Sequence, residues 1–459
     1  MILLTAKLLY ALLLPWMFGV AVISSMKESA QIPGGLKYSL AYGCGIGVLT
    51  LWLFIAGIYQ VPFDPLILSL PLLIVIVRFL LARAFTPCHP GPESKEKTNS
   101  PAHEAMTGAR KVLSWLFRLY ILYYVIFVFW RSLHIPVFVW DGIATIAYKA
   151  KIFFYHRGLV PLHILPHPSY PLLTPLIETW IALNLSQWDD QLIKFFFPFT
   201  FIAYLSVHYH FLKSVTDKFW ALFGTALLVS SNVFVFFATV SYRDFFLLYF
   251  NCSAVLLLLL WQRNKNAVYL FLAAFFSGIT TFTKLEGTGY LCIHATLLGL
   301  LLLRNISIPS REKLITGTKF LWVSGSIPFL FLTYKTLAHV PVSERMQFGF
   351  PWEHLDRIPA ILGKFAWNLF LTGNWNLIWL LLIFCLFPLK KKKNPPETRM
   401  LLITLGLYFS LYFIIAWLTP NFVWLGGDKA YDALTRVVLH FFPLSTILIT
   451  LIFYSKKNK

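Results

Sequence analysis

Apolar runs of about twenty residues recur along the whole chain, and they constrain the fold more than any other feature. A helix of that length crosses the hydrocarbon core of a bilayer, which is about 30 Å thick. Only 13% of the residues are charged, against about a quarter in soluble proteins. We therefore predict an all-α polytopic transmembrane bundle. An ordinary soluble enzyme, a disordered scaffold and a secreted disulfide-rich module are excluded.

About thirteen segments are apolar enough to be predicted as spans. They are residues 3–23, 38–59, 64–85, 112–133, 191–212, 219–239, 245–261, 267–283, 289–304, 317–338, 366–388, 400–419 and 434–454. Alternate loops then carry 25 and 13 Lys and Arg residues, and the richer side is expected to face the cytoplasm. The C-terminus would lie inside and the N-terminus outside. The alternative for the first segment is a cleaved signal peptide, because Lys7 precedes its apolar run.

Residues 86–111 interrupt the helical pattern. They are rich in Pro, Ser, Glu and Lys, which predicts a solvated cytoplasmic linker. The linker divides an N-terminal three-helix membrane part (1–85) from a main body (112–459). The net charge of +20 fits basic cytoplasmic loops, and no nucleic-acid-binding motif is present. The five cysteines have no CxxC spacing and are interpreted as packing residues.

The stretch 134–190 is predicted to be an outer loop, too long for a helix connection and too apolar for a free loop. Asp141 follows Trp140 at its start, and from Ile143 the apolar residues fall on one helical face with Lys149 towards the other. Such a helix is expected to lie in the membrane interface, with its lysines near lipid phosphates. The prolines of HPSYPLLTPLIETW then favour a juxtamembrane or re-entrant segment.

Two interpretations of Asp141 stay open at this stage, and they are compatible. Asp at a helix start is a good N-cap, because its side chain accepts hydrogen bonds from free backbone N–H groups. A carboxylate at the membrane surface, beside lysines and aromatic residues, is also what a reaction on a lipid-borne phosphate would use. It would take a proton from an acceptor while cations stabilise the leaving phosphate.

Other charged residues gather at the predicted outer ends of spans. They are Arg243 with Asp244, Lys284 with Glu286, and Asp428, Lys429, Asp432 and Arg436 before the last span. Each set could form interfacial anchors or ion pairs between helices. Charged groups so close to hydrocarbon are costly, however, so their convergence on one face favours a shared site. His163 and His167 are four residues apart, but Pro166 breaks the helix that would make them a metal-binding face.

The order of these motifs resembles a known family. A span, then WD opening an outer loop, then a KAK-containing amphipathic helix and HPSYPLLTPLIETW are similar to the polyprenyl-phosphate-sugar glycosyltransferases of the GT-C fold. Within these, the chain resembles the protein O-mannosyltransferase-like and lipid A aminoarabinose transferase-like branch. The later SYRDFFLLYF, TKLEG and the context of Arg436 are also similar to patterns of its bacterial members. The resemblance covers about residues 112–459.

The resemblance implies a role for each matching residue. Asp141 matches the acid of the first outer loop, which acts as general base or orients the acceptor. The basic positions that could hold the donor phosphate are Lys149, Lys151, Lys284 and Arg436. Asp244 matches an acid at an outer helix end, and the candidates for contact to the acceptor or a metal are Asp244, Glu286 and His167. No cofactor is firmly implied, although the family leaves room for a divalent cation.

The resulting hypothesis is single-step, inverting transfer of a sugar from a polyprenyl-phosphate donor to a lipid, glycan or protein acceptor. The reaction would take place on the extracytoplasmic side, in a bacterial inner membrane rather than the endoplasmic reticulum. No Gly-rich nucleotide loop is present, which fits a donor that is already activated. The alternatives are a transporter or flippase for a lipid-linked or anionic solute, and a non-catalytic scaffold. Transporters carry polar residues near mid-bilayer in broken helices, whereas the charges here lie at span ends.

Overall fold

The computed structural model describes residues 2–85, 108–306, 308–341, 348–387, 395–426 and 432–457. In these ranges the chain forms eighteen α-helices, joined by turns, 3-10 helices and one π-helical segment, and no β-strand. The all-α bundle expected from the sequence is confirmed. Most of the predicted linker (86–107) and the charged residues Asp428 and Lys429 lie outside the described residues.

Nine of the described helices are long and apolar enough to cross a membrane. They are α1 (Ile2–Ser24), α2 (Gly34–Ile58), α3 (Pro65–Phe85), α4 (Gly108–His134), α7 (Phe196–Val215), α10 (Arg243–Asn264), α12 (Gly287–Arg304), α13 (Ser310–Leu337) and α16 (Pro396–Leu418). The others are α5 (Tyr148–His156), α6 (Leu173–Leu185), α8 (Lys218–Val229), α9 (Asn232–Phe237), α11 (Ala267–Thr283), α14 (Arg357–Phe370), α15 (Ile378–Leu386), α17 (Ala433–Leu439) and α18 (Phe442–Lys457).

Each of the thirteen predicted spans coincides with a helix or a helix pair, but three of them are broken. The broken pairs are α8–α9, α14–α15 and α17–α18, and the last pair is bent by 48°. In the first pair, the Ser231 hydroxyl caps the N-terminus of α9, so a new helix begins after the break. Gly373 has a left-handed backbone (φ 72°) between α14 and α15. By length and composition, the described part of the chain therefore has nine spans, or ten if α17–α18 crosses as one.

The N-terminal helices pack tightly on each other and on the later part of the chain. A Cβ at Gly45 would lie 1.8 Å from the Pro15 carbonyl oxygen, and one at Gly19 would lie 1.9 Å from that of Ala41. Glycine at both positions lets the backbones of α1 and α2 approach each other closely. The Trp180 indole also donates to a carbonyl of α1 across 2.9 Å. Residues 2–85 therefore share their core with α6, α7 and α11.

The loops fall into two groups at opposite ends of the helices, as the charge pattern predicts. At one end, the Phe63 amide donates to the Arg157 carbonyl across 2.8 Å, which joins two predicted outer loops. At the other end, Arg263 lies 3.4 Å from Glu397, which joins two predicted cytoplasmic loops. The alternation of loops therefore agrees with the contacts between them. Which group faces the cytoplasm stays a prediction.

The outer loop after α4 is helical, as expected, but its polar residues are placed differently. A π-helical segment, Gly142–Ala147, leads into α5, and Ile146, Phe153 and Phe154 are buried on one face. Lys149 is also fully buried, so its predicted position among lipid head groups is wrong. The π-helical segment and α5 both pack against α6, which covers this part of the loop.

Two further features of this loop bear on the site. The 13 residues of α6 are all buried, and they are too few to cross a bilayer. The N-cap interpretation of Asp141 is wrong, because its backbone is already helical (φ −61°, ψ −32°) and its side chain makes no cap hydrogen bond. The Asp141 carboxylate is therefore available to another partner.

Candidate active site

Six polar side chains converge at the end of the bundle that holds the predicted outer loops. They are Asp141 before the π-helical segment, Asp244 in the first turn of α10, Lys284 and Glu286 between α11 and α12, Arg436 in α17, and His440 after it. Four separate parts of the chain contribute to this cluster. We refer to these six residues as the carboxylate–cation cluster.

Asp244 is the centre of the cluster. Its side chain is fully buried, and both of its oxygens accept hydrogen bonds. Oδ1 accepts from the Lys284 ammonium at 3.1 Å and from His440 Nε2 at 2.9 Å. Oδ2 accepts from Nε and Nη2 of Arg436 at 3.2 and 3.1 Å. Four donor nitrogens from three residues therefore hold one carboxylate, which offsets the cost of burying its charge.

Arg436 links this centre to Asp141. Its Nη1 donates to Asp141 Oδ2 across 2.6 Å, while its other nitrogens hold Asp244. The side chain of Asp141 is 34% exposed, against 0% for Asp244, so Asp141 is the one of these two carboxylates that a substrate can reach. The ring of Tyr242 lies 4.4 Å from the guanidinium carbon and covers one face of it.

Lys284 bridges two acids, since its ammonium also lies 2.8 Å from the Glu286 carboxylate. Burial by itself lowers the pKa of Lys284, but the carboxylates of Asp244 and Glu286 outweigh it and raise that pKa above its ordinary value. Burial likewise raises the pKa of Glu286, and the charge of Lys284 brings it below its ordinary value. Both groups are therefore charged at neutral pH.

The backbone explains why these charges lie so close together. A Cβ at Gly287 would lie 2.0 Å from the Thr280 carbonyl oxygen, so glycine permits the tight turn from α11 into α12 that presents Lys284 and Glu286. In α17 the Asp432 carboxylate accepts from the Thr435 amide across 2.9 Å and caps the helix. Arg436 follows in that first turn and points towards α10.

A second pair of cations lies beside the cluster without a carboxylate partner. Arg243 donates to the Thr145 hydroxyl across 3.2 Å, and its guanidinium carbon lies 5.2 Å from the centre of the Tyr170 ring. Lys149 donates to the His167 carbonyl across 2.8 Å. Among the described residues, no carboxylate lies within 4 Å of either cation. Burial lowers the pKa of Lys149 to about 7, and the charge of Arg243 adds to that effect.

Two of the residues singled out from the sequence lie against aromatic rings. The Lys151 ammonium lies 5.6 Å from the centre of the Trp188 ring, on the exposed face of α5. The His167 ring stacks on Tyr170 at 5.0 Å, and its backbone has a positive φ of 49°. The described residues contain no group of three or more His, Cys, Asp or Glu side chains placed to hold a metal ion.

Three residues of the site were not singled out from the sequence. His440 and Tyr242 are part of it through their contacts with Asp244 and Arg436. Glu178 in α6 is fully buried and accepts a hydrogen bond from the Ser241 hydroxyl, which anchors the segment before Arg243. An acid within an apolar run, such as Glu178 in PLIETWIAL, is the one signal that sequence reasoning could have used.

Comparison with known proteins identifies the fold. No protein-family model and no curated protein matches the chain. A solved structure does match: the crystal structure of ArnT from Cupriavidus metallidurans bound to undecaprenyl phosphate. The match has a TM-score of 0.51 at 12% identity and covers 74% of this chain and 60% of that chain. The apo structure of the same protein gives a TM-score of 0.48. This integral membrane protein therefore shares the fold of the ArnT structure, the GT-C fold that the order of its motifs predicts.

Proposed function

We propose that the protein is a membrane glycosyltransferase, which moves a sugar from a polyprenyl-phosphate donor to an acceptor on the extracytoplasmic side. The proposal rests on the Asp141–Arg436 ion pair. In this pair a partly exposed carboxylate contacts a cation, at the end of the GT-C fold that holds the predicted outer loops. The ArnT structure supports the choice of donor, because it was solved with undecaprenyl phosphate. The phosphate of a lipid whose prenyl chain is embedded in the membrane must lie at the membrane surface, where this end of the bundle is proposed to lie.

The proposed reaction has one step. An acceptor hydroxyl attacks the anomeric carbon of the sugar and forms the new C–O bond, while its proton passes to the Asp141 carboxylate. The bond between the anomeric carbon and the phosphate oxygen breaks, and polyprenyl phosphate leaves with the electron pair. Attack opposite the leaving group inverts the anomeric centre. The protein supplies the base and the cations, and no step needs a nucleotide.

The cations fall into two roles in this proposal. Arg436 and Lys284 hold the leaving phosphate, since Asp244 keeps both of them at the same end of the bundle. Lys149 and Arg243 add positive charge that no carboxylate within 4 Å balances, so an anionic substrate group next to them would be favoured. Lys151 is not included, because it lies over Trp188.

The resting contact between Arg436 and Asp141 suggests how the base is prepared. Arg436 has one nitrogen, Nη1, on Asp141 and two on Asp244. A donor phosphate that binds Nη1 would displace Asp141 and leave its carboxylate free to accept a proton. Because Asp244 retains its own contacts, Arg436 stays in place during the exchange. Binding of the donor would thus prepare the base for the acceptor.

The test is Asp141→Asn in the purified full-length protein supplied with a prenyl-phosphate sugar. The amide keeps the size of the side chain but cannot accept the proton. Turnover should fall by about 10²–10⁴-fold, the usual contribution of a general base, with donor binding retained.

The matched control is Asp189→Asn. Asp189 lies in the same outer loop, and its carboxylate accepts from the Gln191 amide across 2.8 Å, which an asparagine can also do. Turnover of this variant should be unchanged. Normal transfer by Asp141→Asn would refute the assignment of the base. Wild-type protein that moves a prenyl-phosphate lipid across vesicle membranes without sugar transfer would establish the transporter alternative instead.

A further inference from the structure

His440 connects the carboxylate–cation cluster to two buried tyrosines. It lies in the bend between α17 and α18, fully buried, and both of its ring nitrogens have partners. Nε2 lies 2.9 Å from Asp244 Oδ1, and Nδ1 lies 2.7 Å from the Tyr290 hydroxyl. The Tyr412 hydroxyl is hydrogen-bonded to that of Tyr290 and lies 3.4 Å from Nδ1. The three side chains come from the α17–α18 bend, α12 and α16.

The chemistry of these groups fixes which atom donates and which accepts in each of these hydrogen bonds. The ionised Asp244 carboxylate can only accept, so Nε2 of His440 must carry the hydrogen. In the neutral ring, Nδ1 is then an acceptor, and it takes the hydrogen bond of the Tyr290 hydroxyl. The Tyr290 oxygen is left to accept from Tyr412. Each hydrogen therefore points towards Asp244.

Resting on the function proposed above, we propose that His440, Tyr290 and Tyr412 are positioning residues for the donor-binding cations. They hold one oxygen of Asp244, and the other oxygen holds Arg436. A carboxylate fixed at both oxygens keeps Arg436 and Lys284 in one arrangement. Without His440, Lys284 is the one remaining donor to Oδ1 among the described residues, so the carboxylate holds the guanidinium less firmly. This loss weakens the alignment on which phosphate binding depends. None of the three positioning residues contacts the donor.

The first experiment compares His440→Leu with His440→Gln in the purified full-length protein, using farnesyl phosphate as the probe of donor binding. Leucine removes the hydrogen bond to Asp244, whereas the glutamine amide can still donate to it. His440→Leu should weaken binding of farnesyl phosphate by about tenfold or more, the range for a hydrogen bond to a charged group. His440→Gln should stay within about threefold of wild type, because it keeps that bond. Equal loss in both variants would show that only ring packing matters and would overturn the proposal.

The tyrosines provide a milder test, which holds even if His440→Leu fails to fold. Tyr290→Phe and Tyr412→Phe each remove one hydroxyl group from this series of hydrogen bonds and leave the rings in place. Tyr290→Phe should weaken binding more, because its hydroxyl contacts His440 directly at 2.7 Å. The control is Tyr269→Phe, a buried tyrosine of α11 with no hydrogen bond to the cluster among the described residues. If Tyr290→Phe binds as tightly as this control, the tyrosines have no positioning role.

A double-mutant cycle separates positioning from a general structural effect. In an Arg436→Gln background, His440→Leu should cause a smaller further loss of binding, because one of the two cations that it positions is already gone. Equal fold losses in both backgrounds would overturn the proposal. If wild-type protein fails to bind farnesyl phosphate, the proposed function itself falls. If wild type binds and the variants match it, only the positioning role falls.

Discussion

At the scale of single residues, two of the three carboxylates in the cluster have different surroundings. Asp244 is fully buried and accepts from four nitrogen donors, whereas Asp141 is partly exposed and accepts from Arg436. The first is suited to hold cations in place, and the second to meet a substrate. Substitutions of the two should therefore affect different properties of the protein.

We expect Asp244→Asn to destabilise the fold. Removing one member of a buried ion pair leaves the other charge uncompensated, which costs about 3–5 kcal/mol. Thermal unfolding of the detergent-solubilised protein, followed by tryptophan fluorescence, should show a clear fall in melting temperature. Asp141→Asn is the comparison and should melt close to wild type. Equal melting temperatures for the two variants would contradict this division of roles.

Lys149 gives the stability a dependence on pH. Burial, with the nearby charge of Arg243, lowers its folded pKa to about 7, while the unfolded chain keeps the ordinary value of about 10.4. Between those pH values the unfolded chain binds a proton that the folded chain does not, so stability rises with pH there. Below pH 7 both states are protonated, and the folded state bears the full cost of a buried charge.

Lys149→Met removes this cost, so its gain in melting temperature over wild type should be largest near pH 6 and should shrink towards pH 10. Melting curves across that range provide the measurement. Lys151→Met is the control, since it makes the same substitution at an exposed position of the same helix. A difference for Lys149→Met that grows with pH would contradict the sign.

At the scale of helices, the sequence predicted where the helices and the charged residues lie better than it predicted which side chains contact each other. The spacing of apolar residues gave the helices, and the charge pattern placed Asp141, Asp244, Lys284 and Arg436 at one end. It could not give their pairing, because Arg436 meets Asp141 across 295 positions of sequence and Asp244 across 192. The burial of Lys149 was missed for a similar reason, since the segment that forms α6 was predicted as juxtamembrane or re-entrant, and its packing against α5 could not be foreseen.

The crossing of α1 and α2 depends on glycine. Gly45→Ala would place a methyl group about where the Pro15 carbonyl oxygen lies, and the two backbones would have to separate. We expect a marked loss of thermal stability. Gly299→Ala is the matched control within α12, because nothing lies within 4 Å of its added Cβ. That variant should be neutral or slightly more stable, as alanine is the better helix former. Similar melting temperatures for both variants would show that the close approach is unimportant.

At the scale of the whole molecule, the remaining question from sequence is which end faces the cytoplasm. The excess of basic residues predicts that the end with the carboxylate–cation cluster lies outside. In a cysteine-free background, His163→Cys on the exposed outer loop should react with an impermeant thiol reagent in intact cells. Ser310→Cys, exposed at the start of α13, should react only after the cells are opened. The reverse pattern would invert the topology.

The order of the chain has a consequence for biosynthesis. Asp244 enters the membrane with α10, but Arg436 and His440 follow only with α17 and the bend after it. Until those residues emerge from the ribosome, the nascent bundle holds a buried carboxylate without two of its partners, a costly state in hydrocarbon surroundings. Insertion of α17 and α18 would therefore complete the site and, at the same time, remove the cost of the incompletely paired carboxylate. An unfinished chain would contain a buried carboxylate that has Lys284 but lacks Arg436 and His440, and cellular quality control could distinguish it from the finished protein by this difference.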